Sequence, residues 1–294
     1  MGHNHDHNHE RQGNIKIAFF LNLAFTILEI VGGIWTNSLA ILSDALHDLG
    51  DSFSLGVAWY LEKFSSKGPD KKFSFGYARF SLLGALINSL ILVGGSVLIL
   101  SRSIPRILNP EQVNPKGMLA FAIVGVVING IAVLRLRKGS SLNEKVVSWH
   151  LLEDVFGWVA VLIASIVLLF VDIPIIDPIL SILITFYVLY NVFKNLKKIL
   201  NVFLQGVPGD YSIEEIEKEI VKITGAKAAY HTHVWSLDGE RHLLTVHVIL
   251  SDDIERKQII ETKQIIRDHI ADMGIEHVTI EIDFECEETR DEDF

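Results

Sequence analysis

The chain predicts a membrane-embedded bundle of six helices followed by a small α+β domain. Three observations carry that expectation: the hydropathy, the number and length of apolar runs, and an abrupt change of character after Leu204. Hydrophobic residues make up 49% of the 294 positions, and the mean hydropathy is +0.34. A soluble domain of this length needs a more polar surface. The formal charge of −10 is unevenly placed, most of the acid lying after Gly209 in "SIEEIEKEI" and "ECEETRDEDF". Overall acidity argues against nucleic acid as a partner. A single cysteine, Cys286, excludes an internal disulfide and any multi-cysteine metal site.

The chain opens on "MGHNHDHNHE", with His3, His5, His7 and His9 on alternate positions. Nothing apolar anchors this stretch, so residues 1–13 read as a flexible tail that captures metal weakly. An expression tag is the other reading, although tags are usually unbroken histidine runs. The first apolar run ends in "GGIWTNSLAIL" without a small-residue cleavage site, which marks a retained span and not a signal peptide.

A span needs roughly 20 apolar residues to cross about 30 Å of hydrocarbon. Six stretches qualify: Ile15–Trp35, Ser38–Leu61, Phe80–Leu100, Gly117–Leu136, Val146–Val171 and Asp177–Leu200. Polar or turn-rich breaks such as "EKFSSKGPDKKFSFGYAR" and "PRILNPEQVNPKG" separate them. Lys and Arg gather on one side of the bilayer, at Arg11, Lys16, Lys63 to Arg79, Arg135 to Lys145 and Lys194 to Lys198. The opposite side receives only Arg102, Arg106 and Lys116. This asymmetry predicts that both termini are cytoplasmic.

Beyond the spans, "SIEEIEKEIVKITG" has helical period and stops at a glycine. "AYHTHVWSLDGERHLLTVHVILSDD" reads as two strands joined by a two-residue Asp238-Gly239 turn. "IERKQIIETKQIIRDHIADMG" is an amphipathic helix. "HVTIEIDFE" alternates strictly, with Val278, Ile280, Ile282 and Phe284 on one face. The expected organisation is a tail over 1–13, a transmembrane domain over 14–203, a cytoplasmic domain over 204–286 and an acidic tail over 287–294. The small domain is too short to bury a large core alone and gains from docking against a copy of itself.

The second span is where ionisable groups concentrate. Asp44, His47, Asp48 and Asp51 fall within an arc of roughly 100° on one helical face. The fifth span repeats the device in "SWHLLEDVFGWVAVL", where His150 and Asp154 are four apart, with Glu153 beside them and Gly157 a turn further on. A histidine and an aspartate at i, i+4 project from adjacent turns, so one ion can meet both. Two such pairs offer two imidazoles and two carboxylates, enough for a closed tetrahedral site.

Polar groups that merely hold helices together are the plainer reading, but intramembrane ionisable residues usually mark an ion or proton pathway. A metalloenzyme remains open on spacing alone, since a catalytic zinc leaves one position for water. No further base or oxyanion donor stands out in the spans. Nitrogen with carboxylate oxygen suits zinc, and cobalt, nickel, iron(II) or cadmium fit the same donors. Two aspartates and a divalent cation sum to zero charge. Without metal, protons bind the aspartates or histidines instead, so metal and protons compete for one site.

At these residues the sequence resembles the cation diffusion facilitator family, in its bacterial zinc-exporting branch. The matching runs are "EIVGGIWTNSLAILSDALHDLGD", "FSFGYARFSLLGALINSLIL", "SLNEKVVSWHLLEDVFGWVAVL", "HTHVWSLDGERHLLTVHV" and "HVTIEID", in order over nearly the whole chain. The resemblance implies a homodimer in the bacterial cytoplasmic membrane, each subunit carrying six spans and a ferredoxin-like cytoplasmic domain. It implies proton-coupled efflux of Zn²⁺ by alternating access, zinc being the transported substrate. The family's transport ligands carry over to His47, Asp51, His150 and Asp154. Asp44 matches an acidic position before the motif, as an accessory group or proton relay. Asp48 and Glu153 read as borders of the aqueous cavity.

Relatives also carry peripheral metal sites. In the loop after the second span this chain has Phe73 and Tyr77, leaving only Asp70, and "RKGSSLNEK" replaces the histidine-rich loop some relatives have after the fourth span. Regulatory zinc in the cytoplasmic domain is implied at His231, His247 and Asp283. With a two-residue turn, however, His233 pairs opposite Leu244, and His231 and His233 face away from His247. A membrane metal sensor that does not transport is a reading from another class. The lack of any appended kinase or DNA-binding unit weighs against it.

Overall fold

A computed structural model describes residues 6–65, 68–136 and 142–286, with side chains over 19–57, 60, 68–134 and 152–286. The first six elements are long helices. They are α1 (Asp6–Thr36), α2 (Leu39–Ser65), α3 (Phe80–Leu108), α4 (Pro115–Leu136), α5 (Leu142–Phe170) and α6 (Ile176–Phe203). Among the described residues, five of these are long and apolar enough to cross a membrane; α2 matches them in length, and its acids keep it out of that group. Large apolar side chains such as Leu98, Leu134, Phe170 and Tyr190 stand exposed. In water such a surface would be an aggregation liability; against lipid it costs nothing. Helix α1 starts at Asp6, so residues 6–13 of the expected tail are helical backbone. Residues 1–5 and the side chains of His7 and His9 lie outside the described residues.

Contacts cluster the chain into two units. One comprises residues 1–64 and 83–195, the other residues 65–82 and 196–294. In the first unit Trp158 of α5 is buried with Ala40 and Ile41 of α2 and Met118 and Ala122 of α4. Its indole lies over Gly125, where a Cβ would sit 2.1 Å from Cδ2 of the ring. Lipid provides no hydrophobic drive between helices, so close approach at small residues has to supply the contact.

The turn into α2 fixes that helix's register. Asn37 adopts φ +56°, and Arg106 of α3 donates to its backbone oxygen at 2.9 Å and its side-chain oxygen at 2.6 Å. Asp177, at the start of α6, accepts from Ser38 Oγ at 2.5 Å, from Leu39 N at 2.8 Å and from Ala40 N at 3.3 Å. A carboxylate there satisfies amides that have no partner within α2 and faces the positive end of the helix dipole.

The second unit contains α7 (Ile213–Thr224), β1 (Ala228–Ser236), β2 (His242–Leu250), α8 (Arg256–Asp272) and β3 (Ile275–Phe284). The sheet order is β1-β2-β3, with β1 antiparallel and β3 parallel to β2. Ser212 caps α7, and Gly225 ends it at φ +69°. Leu244, Val246, Val248 and Leu250 alternate along β2 and bury with Ile216 and Ile220 of α7 and Ile266 and Ile270 of α8. Val278, Ile280 and Ile282 of β3 pack against the same core, as the period-2 alternation predicts. Towards the hairpin end, Ala78 from the segment before α3 buries with Leu237 and Leu243, and Arg79 Nε donates to Leu237 O at 3.1 Å.

The hairpin corrects the expected register. The connection spans five residues, 237–241, and not two: Ser236 pairs with His242, and His233 faces Thr245 in place of Leu244. The reason is local. The Asp238 carboxylate accepts from Glu240 N at 3.1 Å, Arg241 N at 2.9 Å and Arg241 Nε at 2.9 Å, while Leu237 N donates to Arg241 O at 2.8 Å. Asp238 therefore closes a wider loop around itself. A second departure follows on β1, where the register shifts between Tyr230 and His233 and His231 adopts φ +47°. This is a β-bulge, one extra residue in the strand.

Candidate metal sites

The polar face of α2 divides between two neighbours. His47 Nε2 lies 3.8 Å from Asp51 Oδ2 on its own helix and 3.8 Å from Asp154 Oδ1 on α5. Around zinc, ligand atoms bonded at about 2.0–2.1 Å stand roughly 3.3 Å apart at the corners of a tetrahedron. The His47 distances are close to that edge. Asp51 and Asp154 do not bring all three ligand atoms within 4.8 Å of one another, so closure around an ion requires side-chain rotation. His150 lies on α5 one turn before Asp154; its side chain is outside the described residues.

Asp44, His47, Glu153, Asp154 and Gly157 line a cavity of about 350 Å³, walled on its other side by Leu180, Ile184 and Tyr187 of α6. Asp44 is 6% exposed and approaches α5 at Gly157, where a Cβ would stand 3.3 Å from its Oδ1. Glycine one turn beyond Asp154 thus leaves room for a third carboxylate. Glu153 borders the cavity, as its place in the sequence suggests. Asp48 does not: it is buried on the side of α1, where Asn22 donates to its backbone oxygen at 3.1 Å and Glu29 is its ionisable neighbour.

Glu29 is a group the sequence reading passed over. It is buried in α1, 1% exposed, against Asp48 and within electrostatic reach of Asp44 and Asp154. The signal was present, because Glu29 is the only ionisable residue between Lys16 and Asp44. The rule that singled out α2 applies to it equally.

In the second unit the bulge gathers what the expected register kept apart. The His231 ring centroid lies 4.7 Å from that of His233 and 5.2 Å from that of His247. His247 Nδ1 is 3.0 Å from Asp283 Oδ2, and its Nε2 is 3.4 Å from Glu281 Oε2. Tyr230 OH donates to Asp283 Oδ2 at 2.7 Å. His247, Glu281 and Asp283 each offer one ligand atom within 4.8 Å of the others. His242 stands apart, edge-on to Tyr211 at 5.1 Å. Asp70 is engaged within its own loop, accepting from Lys72 N, Phe73 N and Tyr77 OH at 2.7–2.8 Å. That bond to Asp70 holds the Tyr77 phenol above its ordinary pKa.

Residues 15–204 match the family model described as the cation efflux transmembrane domain. The chain is 37% identical over 292 residues to the metal cation efflux system protein CzcD of Cupriavidus metallidurans, covering 98% of this chain and 92% of that one. It is 32% identical to the cadmium, cobalt and zinc/H(+)-K(+) antiporter of Bacillus velezensis, over 96% of this chain and 92% of the relative. Zinc transporter ZitB of Pectobacterium atrosepticum is also 32% identical, over 96% and 89%. With spans, acidic cavity and α+β unit in place, these matches make the chain a multi-pass membrane protein of the cation diffusion facilitator family.

Proposed function

We propose that this protein is a proton-coupled antiporter that exports Zn²⁺ from the cytoplasm by alternating access. The observation that carries the reading is His47 Nε2 standing 3.8 Å from carboxylates on two different helices, beside a cavity. His47, Asp51, His150 and Asp154 form the transport site. Bilayer insertion makes an unpaired charge at mid-helix cost about 2.5–3.5 kcal/mol. A divalent cation cancels the two aspartates, and protons replace it when it leaves. Export and proton entry are then two occupancies of one site. The domain over 14–203 carries transport, and the domain over 204–286 regulates it as the contact of a homodimer. Both termini lie in the cytoplasm. His231, His247 and Asp283 hold a regulatory zinc, with Glu281 supplying another oxygen.

Cadmium and cobalt, which stand with zinc in the name of the Bacillus relative, meet the same donor set. Vesicles reconstituted with the full-length protein and a pH gradient test the reading. Zinc flux should dissipate the gradient and stop in Asp51→Ala. Well-folded protein that binds zinc and moves none would overturn it. Repeating the assay with Cd²⁺ or Co²⁺, and with and without K⁺, ranks the cargo and the counter-ion.

A further inference from the structure

Glu29 is the only buried glutamate among the described residues. No N–H or hydroxyl donor reaches either of its carboxylate oxygens there, and the group within hydrogen-bond reach is the Asp48 carboxyl. Its ionisable neighbours are all acids: Asp48 and Asp44 from α2, and Asp154 from α5. Helix α4, which meets α1 where Phe121 lies against Gly32, carries no titratable residue between Lys116 and Arg135 at its two ends. A second buried acid shares the condition, since Asp44 Oδ2 also lacks a hydrogen-bond donor. Burial among other acids disfavours an ionised carboxylate, and such a group takes up a proton instead.

A metal ion is the other occupant that would neutralise these acids. Geometry argues against it. Among the described residues, the carboxylate oxygens of Glu29, Asp44 and Asp48 do not all lie within 4.8 Å of one another, as the ligand atoms of His247, Glu281 and Asp283 do. Hard cations want six or more oxygens. Glu29 also lies outside the residues that line the transport cavity.

We propose that Glu29 is a second proton-binding site, which holds a proton while the transport site is empty and releases it when a divalent cation enters. The inference rests on the reading of His47, Asp51, His150 and Asp154 as that site. A cation there adds two positive charges within electrostatic reach of Glu29, which favours the ionised carboxylate. The step balances simply: the carboxyl O–H bond breaks, the electron pair stays on oxygen, and one proton leaves towards water. Glu29 thus adds one proton to those displaced from the ligands themselves.

Infrared difference spectroscopy on full-length protein in lipid, with ¹³C-labelled glutamate, reads the proton directly. At neutral pH without metal, a labelled protonated-carboxyl band should be present and should vanish in Glu29→Gln. Adding Zn²⁺ should reduce that band in the wild type, and Glu29→Gln should release one proton fewer per zinc in weakly buffered solution. No such band in the wild type, or a band that persists in Glu29→Gln, overturns the proposal. A band that zinc binding leaves unchanged does so too. Should Glu29→Gln fail to fold, loss of the labelled band on adding zinc to wild-type protein decides by itself. Failure of the transport-site reading shows differently, as zinc affinity unchanged by Asp154→Ala, and the metal-free band still decides whether Glu29 carries a proton.

Discussion

The membrane unit and the C-terminal unit each assemble histidines with carboxylates, by opposite means. In the membrane unit the backbone is regular and the chemistry comes from periodicity. Residues four apart on α2 share a face, and α5 supplies the partner across a cavity. In the C-terminal unit periodicity alone would separate the histidines, and an irregular backbone brings them together. A bulge and a residue at φ +47° turn His231 towards His247. Burial differs as well: Asp154 is 9% exposed, whereas Glu281 is open to solvent. A buried cluster without its ion carries a large electrostatic penalty; a half-exposed one is screened by water. The first arrangement suits exchange between two occupancies, and the second suits sensing.

The largest effect separates the two clusters. Asp154→Ala should weaken zinc binding in the membrane unit by more than about 100-fold, a loss that removal of even a supporting partner approaches. The C-terminal cluster should still bind. His247→Ala should do the reverse, keeping flux while removing one class of site in a titration of the full-length protein. Equal loss of both classes in either variant breaks the distinction.

A smaller effect tests how the membrane unit packs. Gly125→Ala places a methyl 2.1 Å from the Trp158 ring, and overpacking of this kind costs about 1–3 kcal/mol. Gly130 on the same helix is the control, because a Cβ there meets nothing within 4 Å. Gly130→Ala should be neutral or stabilising by up to about 1 kcal/mol, as alanine is in helices generally. Thermal unfolding in detergent, followed by tryptophan fluorescence, ranks the two. Equal melting temperatures would mean that Trp158 yields freely.

The same contrast explains what could be read beforehand. Six long helices and the His47–Asp51 spacing were legible because hydropathy and helical period are local properties of the chain. The helix–hairpin–helix–strand order was legible from alternation and glycine stops. The site in the C-terminal unit was not. Its geometry depends on Asp238 closing a five-residue connection and on His231 leaving the β region, and nothing in "YHTHVWSLDGERH" marks either event. Asp177 escaped notice for a related reason: its partners Ser38, Leu39 and Ala40 are some 140 residues distant. Glu29 was readable but isolated, lacking the four-residue companion that draws attention to His47.

The smallest effect concerns that connection. Burial alone would raise the Asp238 carboxyl. The amides of Arg241 and Glu240 and the Arg241 side chain outweigh it and hold the group below its ordinary value of 3.8. A depressed folded value means that stabilisation is complete above the unfolded pKa and disappears as pH falls through the lower folded one. Asp238→Ala should therefore cost about 1–2 kcal/mol at neutral pH, the worth of one or two charge-assisted hydrogen bonds. The difference from wild type should shrink once the pH drops below about 4, where the unfolded carboxyl takes up its proton. Amide hydrogen exchange along β1 and β2 of the full-length protein reads this locally, with faster exchange expected in the variant at pH 7. If protection there is unchanged, the register is held by strand pairing alone, and the His231–His247 approach belongs to the bulge and not to the turn.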